Sequence, residues 1–263
     1  MASAAWAFFM KLSNERRIRS MNEIIKNNLS IIHQRITHAC RKAGRDPATV
    51  QLLLATKTVS AEKIKEALLL GETLIAENKV QELKEKHAAL LDISHQAHFI
   101  GHLQSNKIKE VLKYVSCIQS VDRMELVQQL DKRLQAEGRY LDVLIQVNTS
   151  YEDSKFGLAP ENASAFVREA AKYGTLKIKG LMTIGLFDAD AEKVRPSFQL
   201  LKNLSDQIRG EEIPSVEMKE LSMGMSGDLE TAIEEGATII RIGTAIFGPR
   251  IYPDSYYWNE KES

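Results

Sequence analysis

The sequence is short of most features that mark a specialised class. It has two cysteines, Cys40 and Cys117, far apart and in no metal-ligand spacing. That excludes a disulfide scaffold and a cysteine-based zinc site, and predicts a reduced, cytoplasmic protein. No apolar run approaches the length of a membrane-spanning helix. Neither sign of charge is in excess, because Lys+Arg and Asp+Glu both number 35. With no long basic block, a nucleic-acid partner is not expected. No proline-, glycine- or serine-rich linker divides the 263 residues.

The first twenty residues, MASAAWAFFMKLSNERRIRS, stand apart. Their apolar stretch, Ala4 to Met10, follows no positive region, so they do not read as a secretory signal. Arg16, Arg17 and Arg19 with several serines give a weak organelle-transit character, which Glu15 opposes. We expect a frayed extension over residues 1–20.

What is present is regular. From Met21 to Gly44, Ile24, Ile25, Leu29, Ile32, Ile36 and Cys40 recur at helical steps, and Gly44 ends the run. Eight short apolar or β-branched runs follow: VQLLLATK, TLIAEN, AHFIGHL, VSCIQSVD, LDVLIQVNT, KIKGLMTIG, VEMKELSMG and IIRIGTAIFG. Charged amphipathic helices such as AEKIKEALLLG and RMELVQQLDKRLQ lie between them. Alternating strands and helices predict a parallel sheet. Eight units in about 250 residues predict a closed (β/α)8 TIM-type barrel. An open doubly wound sheet is the alternative, but the first strand lacks the Gly-x-Gly-x-x-Gly turn common there. The expected layout is an extension over 1–20, a barrel over 21–250 and a tail over 251–263.

In such barrels the chemistry sits at the C-terminal strand ends. Those ends fall at Lys57, Asn78, His102, Asp122, Asn148, Thr183, Ser222 to Gly224 and Arg241 to Thr244. SMGMSGD after strand seven is a Gly/Ser loop entering a helix, and RIGT after strand eight offers Gly243 and Thr244. Both suit a phosphate; taken singly, each also reads as a glycine turn, the first with a helix cap at Ser226. Barrel closure sets strand one beside strand eight, so Lys57 stands next to the phosphate loops. A strand-end lysine is most simply solvated. Here it serves as a phosphate counter-ion or, desolvated, as an amine able to form a Schiff base. A phosphate together with an aldehyde describes pyridoxal 5′-phosphate (PLP). A sugar phosphate is a competing ligand.

The stretches LLLATKTVS, ENKVQEL, HFIGHLQSNK, KFGL, KGLMTIG, ELSMGMSGDLETAIEEGAT and RIGTAIFG resemble the pyridoxal phosphate homeostasis protein family, from about Met21 to Gly248. That family has a single barrel similar to the N-terminal domain of alanine racemase. The resemblance implies PLP on Lys57 as a Schiff base and Asn78 close to its ring. It also implies Ser222, Gly243, Thr244 and, less centrally, Ser226 at the phosphate, and Arg241 facing the pyridine nitrogen. The family's Gly-Glu-Asn-Tyr at the second strand is Ala76, Glu77, Asn78 and Lys79 here, so one wall of the site departs from the pattern.

An arginine at the ring nitrogen can only donate, so that nitrogen stays unprotonated and the ring is a weaker electron sink. The barrel uses up the chain, and neither Cys40 nor Cys117 is placed as a second acid/base. We expect a PLP-binding monomer that stores, buffers or delivers the cofactor, with apo PLP-enzymes as candidate acceptors and little or no turnover. A PLP-dependent racemase or lyase is the alternative. His98 and His102 are four residues apart on a strand, which suits structural roles better than a metal pair. Tyr252, Tyr256 and Tyr257 are the tail residues able to reach the mouth.

Overall fold

A computed structural model describes residues 2–186, 188 and 190–249. The expected tail, with its three tyrosines, lies outside the described residues. Eight parallel strands close a barrel in sequence order: β1 Gln51–Ala55, β2 Leu74–Glu77, β3 Gln96–Phe99, β4 Cys117–Val121, β5 Leu141–Gln146, β6 Leu176–Met182, β7 Val216–Ser222 and β8 Ile239–Ile242. Closure is direct, since β1 pairs with β2 through Ala55 and Ala76 and with β8 through Leu54 and Ile242.

The helices are α1 Ala2–Lys42, α2 Ala61–Leu69, α3 Val80–Leu90, α4 Ile108–Val111, α5 Met124–Glu137, α6 Ala163–Ala170, α7 Ala191–Gly210, α8 Leu229–Glu234 and α9 Thr244–Phe247. Two boundaries differ from the sequence reading. The run IIRIGTAIFG is strand only to Ile242; Gly243 then breaks the extended chain and TAIF turns into α9. At the other end, α1 begins at Ala2, well before the periodic pattern starts at Met21.

Alternation along each strand sorts side chains into two cores. Leu53, Leu74, Ala76, Cys117, Leu144, Met182 and Ile239 pack inside the barrel. Their neighbours, such as Leu54, Ile75, Ile118 and Ile240, pack outward against the helices. The α1 stripe of Ile25, Leu29, Ile32, Ile36 and Cys40 joins that outer core. Ile24, counted with the stripe from its spacing, instead faces water at 55% exposure. The helix ends as expected, with Gly44 left-handed at φ 66° and the Arg45 N–H donating to Cys40 O at 2.8 Å.

Polar ties pin α1 to the last βα units. Asn28 Nδ2 donates to Ile246 O at 2.9 Å, and Arg35 forks onto Glu230 at 2.6 and 2.8 Å. The helix thus packs beside the same strand ends that carry the candidate site.

Candidate functional site

Lys57 follows β1 by two residues. The inward alternation of Leu53 and Ala55 carries it toward the mouth. It is buried, at 8% exposure. A β-turn places it there: the Val59 N–H donates to Thr56 O at 2.9 Å, which makes Lys57 and Thr58 the central pair. Thr58 has φ 62°, at a turn position that normally takes glycine or asparagine. For a β-branched residue this is a genuine outlier.

Lys57 shares a cavity of about 260 Å³ with Ser60, Lys63, Gly243 and Thr244. The glycine at 243 is required by close approach, because a Cβ there would stand 2.8 Å from Ala55 O. The first N–H groups of a helix have no intrahelical acceptor, so the turn into α9 presents donors beside two lysines.

Behind the mouth, inside the barrel, lies a hydrogen-bonded relay. Arg241, on β8, is 6% exposed. Its Nη1 donates to Ser222 Oγ at 2.9 Å and its Nη2 to Thr183 O at 2.7 Å. Burial lowers its pKa to about 10, so it remains a cation at neutral pH. Ser222 Oγ donates onward to Gln119 Oε1 at 2.6 Å, and Gln119 Nε2 donates to His98 Nδ1 at 2.8 Å. Guanidinium and amide N–H groups only donate. The direction of the relay is therefore fixed from Arg241 to His98, and His98 must accept at Nδ1. Burial agrees, pushing the His98 pKa down to about 4 and keeping the ring neutral.

On the outer side of the same strand ends lies a charged cluster. Glu77, the last residue of β2, alternates outward and is 1% exposed. Lys86 Nζ from α3 donates to Glu77 Oε1 at 2.7 Å, Glu82 Oε2 at 2.6 Å and Thr56 O at 2.9 Å. Thr56 Oγ1 donates to Glu77 Oε1 at 2.6 Å, and the Thr58 N–H donates to Glu82 Oε2 at 2.7 Å. Desolvation raises the Glu77 pKa to about 7 against the pull of Lys86.

The structure thus brings Lys57, Gly243 and Thr244 to one cavity and joins Ser222 to Arg241. Asn78 lines a neighbouring cleft with Lys79, His102 and Lys107, its Oδ1 buried without a partner. Ser226 sits at the loop edge, where its carbonyl accepts from Arg35 Nη2 at 3.1 Å. It does not cap α8; Asp228 is the N-cap residue. Gly224 turns this loop at φ 93°, where a Cβ would lie 2.5 Å from Ala232 Cβ. His102 stacks on Phe156, with ring centroids 4.1 Å apart. Cys117 is in the inner core, and burial raises its thiol pKa far from reactive range.

Sequence reasoning placed Thr183 at a strand end but missed Gln119 and the cluster of Thr58, Glu77, Glu82 and Lys86. Alternation carried a signal for Gln119, since an inward polar residue two places after Cys117 needs a partner. No sequence signal gives Thr58 its left-handed backbone.

Residues 27–251 match the family model for the alanine racemase N-terminal domain. The pyridoxal phosphate homeostasis protein of Aquifex aeolicus (strain VF5) is 43% identical over 224 residues, covering 85% of this chain and 97% of that protein. The protein of the same name from Pseudomonas aeruginosa is 40% identical over 228 residues, covering 87% and 96%. PipY of Synechococcus elongatus PCC7942, solved with PLP bound, matches with a TM-score of 0.72 at 32% identity, over 81% of this chain and 100% of that one. Fold and mouth together define a single barrel of the alanine racemase N-terminal type. The chain belongs to the pyridoxal phosphate homeostasis protein family.

Proposed function

We propose that this protein binds PLP at the barrel mouth through Lys57 and acts as a carrier that stores, buffers or delivers it, with little or no turnover. One observation carries the reading: a buried lysine shares a single cavity with Gly243 and Thr244 at the closure of β1 on β8. The relatives named for PLP homeostasis, and PipY with PLP bound, support it.

The residues present fit the cofactor. Lys57 supplies an amine for an aldehyde. Gly243, Thr244 and Lys63 supply donors and charge for a phosphate, with Ser226 at the loop edge. Asn78 Oδ1 is a buried acceptor that a bound donor would satisfy. Arg241 is a permanent donor suited to an aromatic nitrogen. Ser222 enters this reading through Arg241, because its proton is given to Gln119 and its oxygen accepts from the guanidinium. When bound, the cofactor supplies an aldehyde and an electron-accepting ring. Arg241, held by Ser222 and Thr183, would offer its remaining N–H groups as donors to the ring nitrogen, which would then stay unprotonated and make the ring a weaker electron sink. That favours holding over turning over.

Among the described residues no helix is long and apolar enough to cross a membrane. Free buried Cys40 and Cys117 suit a reducing, cytoplasmic setting. We place the protein there as a monomer, with apo PLP-enzymes as the acceptors.

Titrating purified protein with PLP tests the reading. A visible absorbance band should form, and Lys57→Ala should abolish it. A protein that stays colourless at saturating PLP overturns it. Incubating amino acids with the loaded protein in heavy water separates a carrier from a racemase or lyase, since only the enzyme exchanges the α-proton rapidly.

A further inference from the structure

The peptide groups on both sides of Lys57 are held by one cluster outside the barrel. Thr56 O, before it, accepts from Lys86 Nζ at 2.9 Å. The Thr58 N–H, after it, donates to Glu82 Oε2 at 2.7 Å. Lys86 ties the two halves together, because its remaining N–H groups go to Glu82 and Glu77. All three ammonium hydrogens are thereby used. The Thr56 hydroxyl in turn donates to Glu77 Oε1 at 2.6 Å. Lys57 sits between these two grips, and the second falls on the strained Thr58 itself, at φ 62°.

A threonine held left-handed relaxes unless its surroundings prevent it. Relaxation would open the turn and swing Lys57 off its inward course. We propose that Lys86 and Glu82 are positioning residues, whose clamp on the Thr56–Val59 turn holds the Lys57 amine in the barrel mouth. This rests on the reading of Lys57 as the point of PLP attachment. The two helical residues never touch the cofactor; they set the fraction of molecules whose amine is correctly aimed. Apparent affinity scales with that fraction. Glycine at 58 removes the need for the clamp, since it occupies left-handed backbone without the steric strain a Cβ brings.

The test is a PLP titration of the full chain, reading visible absorbance for attachment and far-ultraviolet circular dichroism for fold. Lys86→Met and Glu82→Ala should each weaken apparent affinity about tenfold, the effect of leaving roughly one molecule in ten competent. Thr58→Gly in the Lys86→Met background should bring affinity back to within about threefold of the parent. Rescue distinguishes positioning from a structural role, because glycine restores no lost ion pair. Unchanged affinity in Lys86→Met, or weak affinity that glycine does not rescue, overturns the inference while leaving attachment at Lys57 intact. A parent protein that never binds PLP instead sinks the reading on which the inference rests. Should Lys86→Met fail to fold, Glu82→Ala with and without Thr58→Gly gives the same contrast at a residue nearer the surface.

Discussion

Two polar clusters serve the same barrel mouth and are built on opposite principles. The inner relay, Arg241–Ser222–Gln119–His98, carries one charge and a fixed direction of donation. The outer clamp, Glu77–Lys86–Glu82 with Thr56 and Thr58, is mostly ionic and includes a carboxyl poised near neutrality. The relay has no titratable exit, since every member has one satisfactory protonation state at neutral pH. The clamp has one, because Glu77 can take up a proton. The part aimed at a ligand is thus electrostatically rigid, whereas the part that shapes the backbone can shed a charge.

The largest expected effect breaks the relay in the middle. Gln119→Leu strands the Ser222 hydroxyl and His98 Nδ1 together in the barrel interior. Each orphaned buried group costs about 1–3 kcal/mol, so the loss of unfolding free energy should be roughly 3 kcal/mol. Urea denaturation reads it directly. A loss within the range of ordinary surface substitutions would show that the relay contributes little to stability.

The next effect sets the two clusters against each other. His98 has a folded pKa lowered to about 4 from 6.5. The unfolded chain then binds more protons between those values, so stability falls as pH drops from 6.5 toward 4. Glu77 has a folded pKa raised to about 7 from 4.5. There the folded chain binds more protons, so stability falls as pH rises from 4.5 toward 7. Each window spans on the order of 3 kcal/mol. The two oppose one another where they overlap, and the parent protein should vary little with pH between about 4.5 and 6.5 from these groups. Glu77→Gln should unmask the acid-side loss and His98→Asn the opposite slope. Parallel pH profiles for both variants would remove the opposition.

The difference between the clusters also explains what the sequence could disclose. Lys57, Gly243 and Thr244 were legible because strand ends and barrel closure are set by periodicity, a local signal. Arg241 was legible as a strand-end residue, but its hold on Ser222 and Thr183 was not. Those bonds run between inward groups of β8, β7 and the end of β6, and strand periodicity does not say which inward groups meet. The turn of TAIF into a helix was misjudged because β-branched and aromatic residues extend strand character past Gly243, where the backbone breaks. Thr58 was illegible for a different reason: a left-handed threonine contradicts its own propensity, and only the clamp makes it possible. The eight-unit ring follows from pattern; the site's polarity and strain follow from contacts that no pattern records.

A third effect comes from removing the clamp's cation. Lys86→Met leaves Glu77 buried without its countercharge, yet Glu77 can protonate. The loss should be about 1–2 kcal/mol at pH 6 and larger at pH 8, where the carboxylate must stay charged. Denaturation at the two pH values measures it. An equal loss at both would mean that Glu77 does not use its titratable exit.

The smallest effect supplies the scale for the others. Arg35 forks onto Glu230 at 2.6 and 2.8 Å and reaches Ser226 O at 3.1 Å, but the pair is partly open to water, at 32% and 40% exposure. Solvent and side-chain entropy limit such pairs, so Arg35→Ala should cost only about 0.5–1 kcal/mol. That cost should shrink further in high salt, where exposed charges are screened. The relay lies inside the barrel, out of reach of mobile ions, so the cost of Gln119→Leu should not change over the same salt range. Comparing both variants at low and high salt therefore separates surface attraction from buried hydrogen bonding in a single experiment. If the two losses respond to salt alike, the relay is more accessible to solvent than its burial implies, and the contrast between a rigid inner cluster and a yielding outer one would have to be redrawn.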